Sequence, residues 1–194
     1  MLTKTLVHWI EAQAWLDRTA VPVRDAVRAA LDQAPPIDRF LRGVAFGHPL
    51  HAALVTLPLG LWSAVLALDI AGATRKRGDH RRSADLLLGL GLAAVAPSAA
   101  AGLADFSRTN GLATRIGLVH AGINLAVAAL YASSLVARTT GHRKLGVAFS
   151  SIGFTVVGFS AWLGGDLSFR YHVGAVPGPR DVDSTPAATS PTAP

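Results

Sequence analysis

Two histidines stand directly ahead of the first long apolar stretch of this chain. His48 and His51 flank a Pro-Leu pair, and the apolar run continues from there to Leu68. A titratable side chain at the edge of a membrane is costly to keep there, which makes it a candidate for function. Imidazoles ligate haem iron and zinc, and they also cap helices or bond to backbone. The chemistry therefore depends on which other polar residues reach the same place.

Four segments are apolar over the length of about 20 residues that a spanning helix requires. Of the 194 residues, 51% are apolar and 15% charged, whereas soluble domains carry about 25% charged residues. The segments lack the alternation of barrel strands, so the sequence predicts an all-α fold, a four-helix transmembrane bundle. The predicted spans are residues 49–73, 86–104, 116–137 and 145–165.

The remaining sequence divides the chain into three regions. Residues 1–43 form a predicted amphipathic N-terminal helical segment, and residues 44–176 form the four-helix transmembrane domain. Residues 177–194 are rich in Pro, Ser, Thr and Ala without apolar periodicity, which predicts a disordered tail.

The N-terminal segment has apolar residues at helical spacing. We expect two short helices that break near Pro22 and end at Pro35 and Pro36. Trp9 and Trp15 suit a helix lying in the membrane interface. The same pattern also suits a helix packed on the rim of the bundle, and both interpretations stay open.

Loop charges predict the orientation of the spans. The loops after the first and third spans contain eight Lys and Arg residues, whereas the loop after the second contains Arg108 and Arg115. The positive-inside rule places the richer loops in the cytoplasm, so both termini are expected outside. Asp69, at the cytoplasmic end of the first span, is expected near Arg75 and within reach of the interface.

This topology brings several polar residues to the outer ends of the spans. His48 and His51 begin the first span, Asp105 ends the second, and His120 and Asn124 lie near the start of the third. A b-type haem takes two neutral imidazoles on opposite sides of its iron. We therefore predict one b-type haem held by His51 and His120, with His48, Asp105 and Asn124 in support. Asp166 and His172 follow the fourth span at the same side.

Two other uses of this group stay open. Zinc binds His and carboxylate ligands in a tetrahedron, which His48, His51, Asp105 and His120 would supply. Alternatively, the protein is a structural or assembly subunit without a cofactor, in which the polar residues tie helices together and His48 caps the first span. No nucleophile–base pair or phosphate loop is visible, so no catalytic residue is predicted and a non-enzymatic role is favoured. Trp62 and Tyr131 are expected to pack or to anchor at the interface.

Composition excludes several classes of protein. The chain has no cysteine, which rules out disulfides, cysteine-ligated iron–sulfur clusters and c-type haem. The net charge of +6 is concentrated in two loops rather than in a basic patch, so nucleic acid is not an expected partner. No histidine lies in the cytoplasmic half of a span, so any haem is expected near the outer face. The expected partners are the lipid bilayer and a redox protein or membrane complex.

Six short motifs lie along the predicted transmembrane domain. They are Gly47-His48-Pro49-Leu50-His51, Pro58-Leu59-Gly60-Leu61-Trp62, Gly102-Leu103-Ala104-Asp105-Phe106, Gly117-Leu118-Val119-His120-Ala121-Gly122-Ile123-Asn124, Leu163-Gly164-Gly165-Asp166 and Val173-Gly174. Together they resemble a bacterial membrane family called domain of unknown function 2231. The resemblance covers roughly residues 40–176 and implies a four-helix domain of the bacterial cytoplasmic membrane without an agreed activity. Some relatives are joined to a Rieske domain, which implies redox chemistry. Typical relatives have Pro where this chain has Ala52, and many have His where it has Asp166, so no ligand role carries over to Asp166.

Overall fold

The computed structural model describes residues 2–74 and 78–174, and every regular element within these ranges is helical. The prediction of an all-α fold is confirmed there. The tail predicted to be disordered, residues 177–194, lies outside the described residues, as does Arg75. The helices are α1 (Leu2–Ala12), α2 (Asp17–Asp32), α3 (Pro35–Leu41), α4 (Leu50–Leu54), α5 (Thr56–Thr74), α6 (Gly78–Phe106), α7 (Gly111–Thr139) and α8 (Arg143–Phe169), with 3-10 turns at Ala14–Leu16 and Val44–Phe46.

Four helical stretches of the described chain are long and apolar enough to cross a membrane, as the sequence predicted. They are Leu50–Ala73, His80–Phe106, Gly111–Thr139 and Arg143–Phe169. The first is divided at Val55 into α4 and α5. Pro58 explains the division, because it has no N–H to donate to the carbonyl of Leu54 at the end of α4.

A glycine-dependent turn joins α7 to α8. Gly141 has φ +87°, a left-handed conformation that costs a residue with a Cβ more than it costs glycine. The N–H of His142 donates to Ala137 at 2.8 Å, and the N–H of Gly141 donates to Arg138 at 3.4 Å. This Schellman pattern satisfies carbonyls at the end of α7 and lets α8 start two residues later.

The chain folds into two compact units that share the long helices. Unit 1 consists of the described residues of Met1–Pro49, Gly102–His120 and Trp162–Pro194. Unit 2 consists of the described residues of Leu50–Ala101 and Ala121–Ala161.

The core of unit 2 is built around Trp62 and Tyr131. Their rings stack with centroids 3.8 Å apart and planes 10° apart, and Val65, Leu88 and Val127 surround them. Gly91 leaves the space that the Trp62 ring occupies. Trp62 and Tyr131 therefore pack, which is one of the two roles expected of them.

The N-terminal segment breaks earlier than the sequence predicted. Gln13 is the non-helical residue, with φ −81° and ψ 78°, and α2 then continues through Pro22 without interruption. The prediction of a break near Pro22 was wrong. Pro22 deprives the carbonyl of Arg18 of its backbone donor, yet α2 continues to Asp32. The predicted stop at Pro35 is confirmed, since α2 ends at Asp32 and α3 begins at Pro35.

Candidate functional site

His51 is held by the backbone of a neighbouring helix in unit 2. Its Nδ1 lies 2.9 Å from the carbonyl oxygen of Ser98 on α6. A carbonyl can only accept, so Nδ1 carries the proton in the neutral ring and Nε2 keeps its lone pair. Metal-ligating histidines are oriented in the same way, by donating their second ring N–H to a carbonyl or carboxylate.

His120 lies against the backbone of α8 in unit 1. A Cβ added at Gly164 would lie 3.1 Å from His120 Cε1 and 3.7 Å from its Nε2. The distance to Cε1 is shorter than an ordinary van der Waals contact, so glycine at position 164 gives the imidazole its place.

The other predicted site residues divide between the two units. His48 is exposed in the turn before α4, and Asp105 lies in the last turn of α6; both belong to unit 1. The Oδ2 of Asp105 lies 2.6 Å from where a Cβ on Gly174 would stand, and Gly174 has φ +66°. Asn124 is half-buried on α7 in unit 2. Thus Asp105 and His120 share unit 1 with His48, whereas His51 and Asn124 belong to unit 2.

The described residues contain no group of three or more His, Cys, Asp or Glu side chains arranged to hold a metal ion.

Asp166 lies in the last turn of α8, and His172 follows the end of that helix. One buried oxygen of Asp166 has no hydrogen bond within the described chain and lies 3.6 Å from Arg170 Nη1. His172 is exposed with φ +56°.

A buried ion cluster in unit 2 was missed by the sequence analysis. The side chain of Arg138 is 0% exposed and that of Asp69 is 3% exposed. Arg138 donates to both oxygens of Asp69, at 2.9 and 2.5 Å. Asp69 was expected near Arg75, but its partner in the described chain is a residue that the loop count had treated as a cytoplasmic charge.

The cluster connects all four spanning helices within unit 2. Asp69 belongs to α5, Asp85 to α6, Arg138 to α7 and Arg143 to α8. Arg143 donates to Asp85 at 2.9 and 3.0 Å, and Arg138 also contacts Asp85 at 3.3 Å. Two acids and two bases give a formal charge of zero, which is the composition a buried cluster needs. Opposite charges at the same predicted end of the spans were the signal available in the sequence.

A second polar network joins the N-terminal helices to the rest of unit 1. Glu11 of α1 accepts hydrogen bonds from the Tyr171 hydroxyl and from Arg170 Nη1, the latter at 2.6 Å. Arg115 of α7 holds both oxygens of Asp17, at 2.7 and 2.6 Å. Val7 and Ile10 are buried in the same unit, while Trp9 is exposed. The N-terminal segment therefore packs on the other parts of unit 1, and the side chains of Trp9 and Trp15 point away from the core of that unit.

Asp38 of α3 is a third acid of unit 1 that binds arginine side chains. It accepts from Arg42 Nη2 at 2.5 Å, and Arg108 of the α6–α7 loop approaches it at 3.3 Å. Burial by itself favours the neutral form, but the hydrogen bonds and charges of Arg42 and Arg108 outweigh it and lower the pKa of Asp38. Burial likewise opposes ionisation of Glu11, and the bonds from Tyr171 and His8, with the charge of Arg170, lower its pKa.

These lowered pKa values predict that the N-terminal segment detaches only in acid. Acids with a depressed folded pKa bind fewer protons folded than unfolded, so their stabilisation is full above about pH 4 and is lost as pH falls further. A nitroxide label at Gln33→Cys should show unchanged mobility from pH 7 to about 5 and increased mobility below about 4. Asp38→Asn should raise mobility already at neutral pH. Loosening near pH 6 in the parent protein would contradict the assignment to carboxylates, since histidine titrates there.

Four apolar spanning helices joined by buried polar clusters define a multi-pass α-helical membrane protein. The family described as "Predicted membrane protein (DUF2231)" matches residues 47–177, and the chain belongs to that family. No curated protein and no solved structure matches the chain. The resemblance seen in the sequence motifs is thereby confirmed.

Proposed function

We propose that this protein binds one b-type haem near the outer face of the membrane, with His51 and His120 as axial ligands. The observation that carries the proposal is the hydrogen bond between His51 Nδ1 and the Ser98 carbonyl, which leaves Nε2 free of the proton. The donor chemistry suits haem, because two neutral imidazoles are a common axial pair and the chain has no cysteine for covalent attachment. Bound haem would supply one-electron chemistry.

Individual residues have distinct roles in this proposal. The Ser98 carbonyl fixes the tautomer and orientation of His51, and Gly164 positions the ring of His120. His48, Asp105 and Asn124 would support the site. A redox protein or membrane complex would be the electron partner.

The absorption spectrum of the detergent-purified protein, oxidised and then reduced with dithionite, tests the ligands. Protein expressed with ample haem should show a Soret band and sharp reduced α and β bands, and His51→Ala and His120→Ala should each lose them. His142→Ala is the matched control, because it removes an exposed imidazole from the α7–α8 turn. Added imidazole should restore the bands in His51→Ala if the variant is folded. A featureless parent spectrum, or bands that survive in His51→Ala, would overturn the proposal.

A structural or assembly subunit without cofactor is the second candidate. It is favoured by the same contact, since the bond from His51 to Ser98 ties α4 to α6 directly. It predicts a parent protein without haem in which His51→Ala lowers the free energy of unfolding by about 0.5–1.5 kcal/mol, through the loss of one hydrogen bond. Metal analysis of the purified protein tests the zinc alternative of His48, His51, Asp105 and His120, for which the described residues form no metal-binding group.

We also propose that the protein lies in the bacterial cytoplasmic membrane with both termini outside. The loop charges support this orientation. Because the chain has no cysteine, single cysteines report sidedness without background. A membrane-impermeant maleimide added to intact spheroplasts should label Gln33→Cys and should label His142→Cys only after lysis. The reverse pattern would contradict the orientation.

A further inference from the structure

The α3 helix and the 3-10 turn after it have their polar and apolar faces reversed relative to a water-soluble surface. Asp38 is only 5% exposed and binds Arg42 and Arg108 on the protein side. Ile37, Phe40 and Phe46 are 56%, 52% and 55% exposed. Water would favour the opposite arrangement, with the ion pair outside and the aromatic rings buried.

The three exposed side chains form one apolar patch. Ile37 and Phe40 are three residues apart on α3, so they lie on one face. The rings of Phe40 and Phe46 meet edge to face, with centroids 5.5 Å apart. Two left-handed glycines, Gly43 at φ +76° and Gly47 at φ +66°, begin and end the turn that returns Phe46 to Phe40. A patch this apolar needs an apolar neighbour.

The position of the patch in the chain indicates what that neighbour is. The first candidate span starts at Leu50, four residues after Phe46. Aromatic side chains at that distance from a spanning helix lie at the level of the lipid headgroups. Arg39, exposed beside Phe40, can reach lipid phosphates.

We propose that residues 35–46 form an interfacial anchor whose apolar patch, Ile37, Phe40 and Phe46, inserts at the boundary between headgroups and acyl chains. The occupant of the patch is lipid of the leaflet where the first span begins. The Asp38–Arg42–Arg108 cluster holds the anchor on unit 1, so that its apolar face stays outward. This segment lies outside the residues 47–177 that the family model matches. The inference is independent of haem binding.

Site-directed spin labelling of the full chain tests the anchor. Single cysteines at Ile37, Phe40 and Gln33 are labelled with a nitroxide, and the protein is placed in vesicles of phosphatidylethanolamine and phosphatidylglycerol. Gln33 is exposed on the preceding turn and is the matched control. The ratio of accessibility to oxygen over a water-soluble nickel chelate should be several-fold higher at positions 37 and 40 than at 33.

Two outcomes would overturn the proposal. Equal ratios at positions 33, 37 and 40 would mean that water covers the patch. Low accessibility to both reagents at 37 and 40 would mean that a second copy or another protein covers it, and spin–spin broadening would identify the second copy. Should one labelled variant fail to fold, the remaining position decides the test, since Ile37→Cys and Phe40→Cys report the same face.

Discussion

Replacing Arg138 by methionine is expected to lower the free energy of unfolding by about 3–5 kcal/mol, as when one partner of a buried ion pair is removed. The change leaves Asp69, whose side chain is 3% exposed, without its bidentate partner. Arg143 lies 3.5 Å from one oxygen of Asp69 and cannot replace two hydrogen bonds. Asp85 suffers less, because it keeps two bonds from Arg143. Unfolding of the detergent-solubilised protein by sodium dodecyl sulfate measures the loss.

Two further variants show whether the cost comes from the unpaired acid. Arg143→Met removes an arginine that is 23% exposed and should cost about 1 kcal/mol, as for a partly solvated pair. The double variant Asp69→Leu with Arg138→Met should recover most of the loss, because apolar groups of similar size replace buried pairs at little cost. If Arg138→Met costs no more than Arg143→Met, the buried cluster does not stabilise the protein as described.

Replacing Gly91 by alanine is the second change with a large expected effect. The added Cβ would lie 2.7 Å from Cδ1 of Trp62 and closer still to its Nε1. Trp62 cannot withdraw easily, because its ring is stacked on Tyr131 with the ring centroids 3.8 Å apart. Overpacking of this kind costs about 1–3 kcal/mol, against a gain in helix propensity of up to about 1 kcal/mol.

Gly158 supplies the matched control for this prediction. A Cβ added there meets nothing within 4 Å, so Gly158→Ala should be neutral or slightly stabilising. Adding Trp62→Phe to Gly91→Ala should reduce the overpacking penalty, and a thermodynamic cycle of the four proteins measures this coupling. Equal melting temperatures for Gly91→Ala and Gly158→Ala would show that the Trp62 ring does not occupy the space beside Gly91.

The spanning helices were predictable because membrane insertion depends on a one-dimensional property, the length of an apolar run. The predicted span at residues 86–104 lies wholly within α6, for example. Local backbone chemistry was predictable in part. Pro58 accompanies the break in the first span, whereas α2 continues through Pro22, although each proline removes one backbone donor.

Side-chain pairing was less predictable, because it depends on the rotation of each helix about its axis. Arg138 was counted as a loop charge, but its side chain turns inward and donates to Asp69. Without Arg138, the loops after the first and third spans still contain seven Lys and Arg residues, whereas the loop after the second span contains two. The loop charges therefore still favour the same orientation. The partner of His51 could not be read from sequence at all, because the Ser98 acceptor is a backbone carbonyl, which every residue has.

The haem content of the purified protein shows whether His51 and His120 are haem ligands, as we propose, or ties between helices. Conversion of bound haem to its pyridine complex counts haem for each chain. We expect one haem in the parent protein and in His142→Ala, and none in His51→Ala. A parent protein that is folded and stable, yet contains no haem after expression with ample haem, would contradict the proposed ligands.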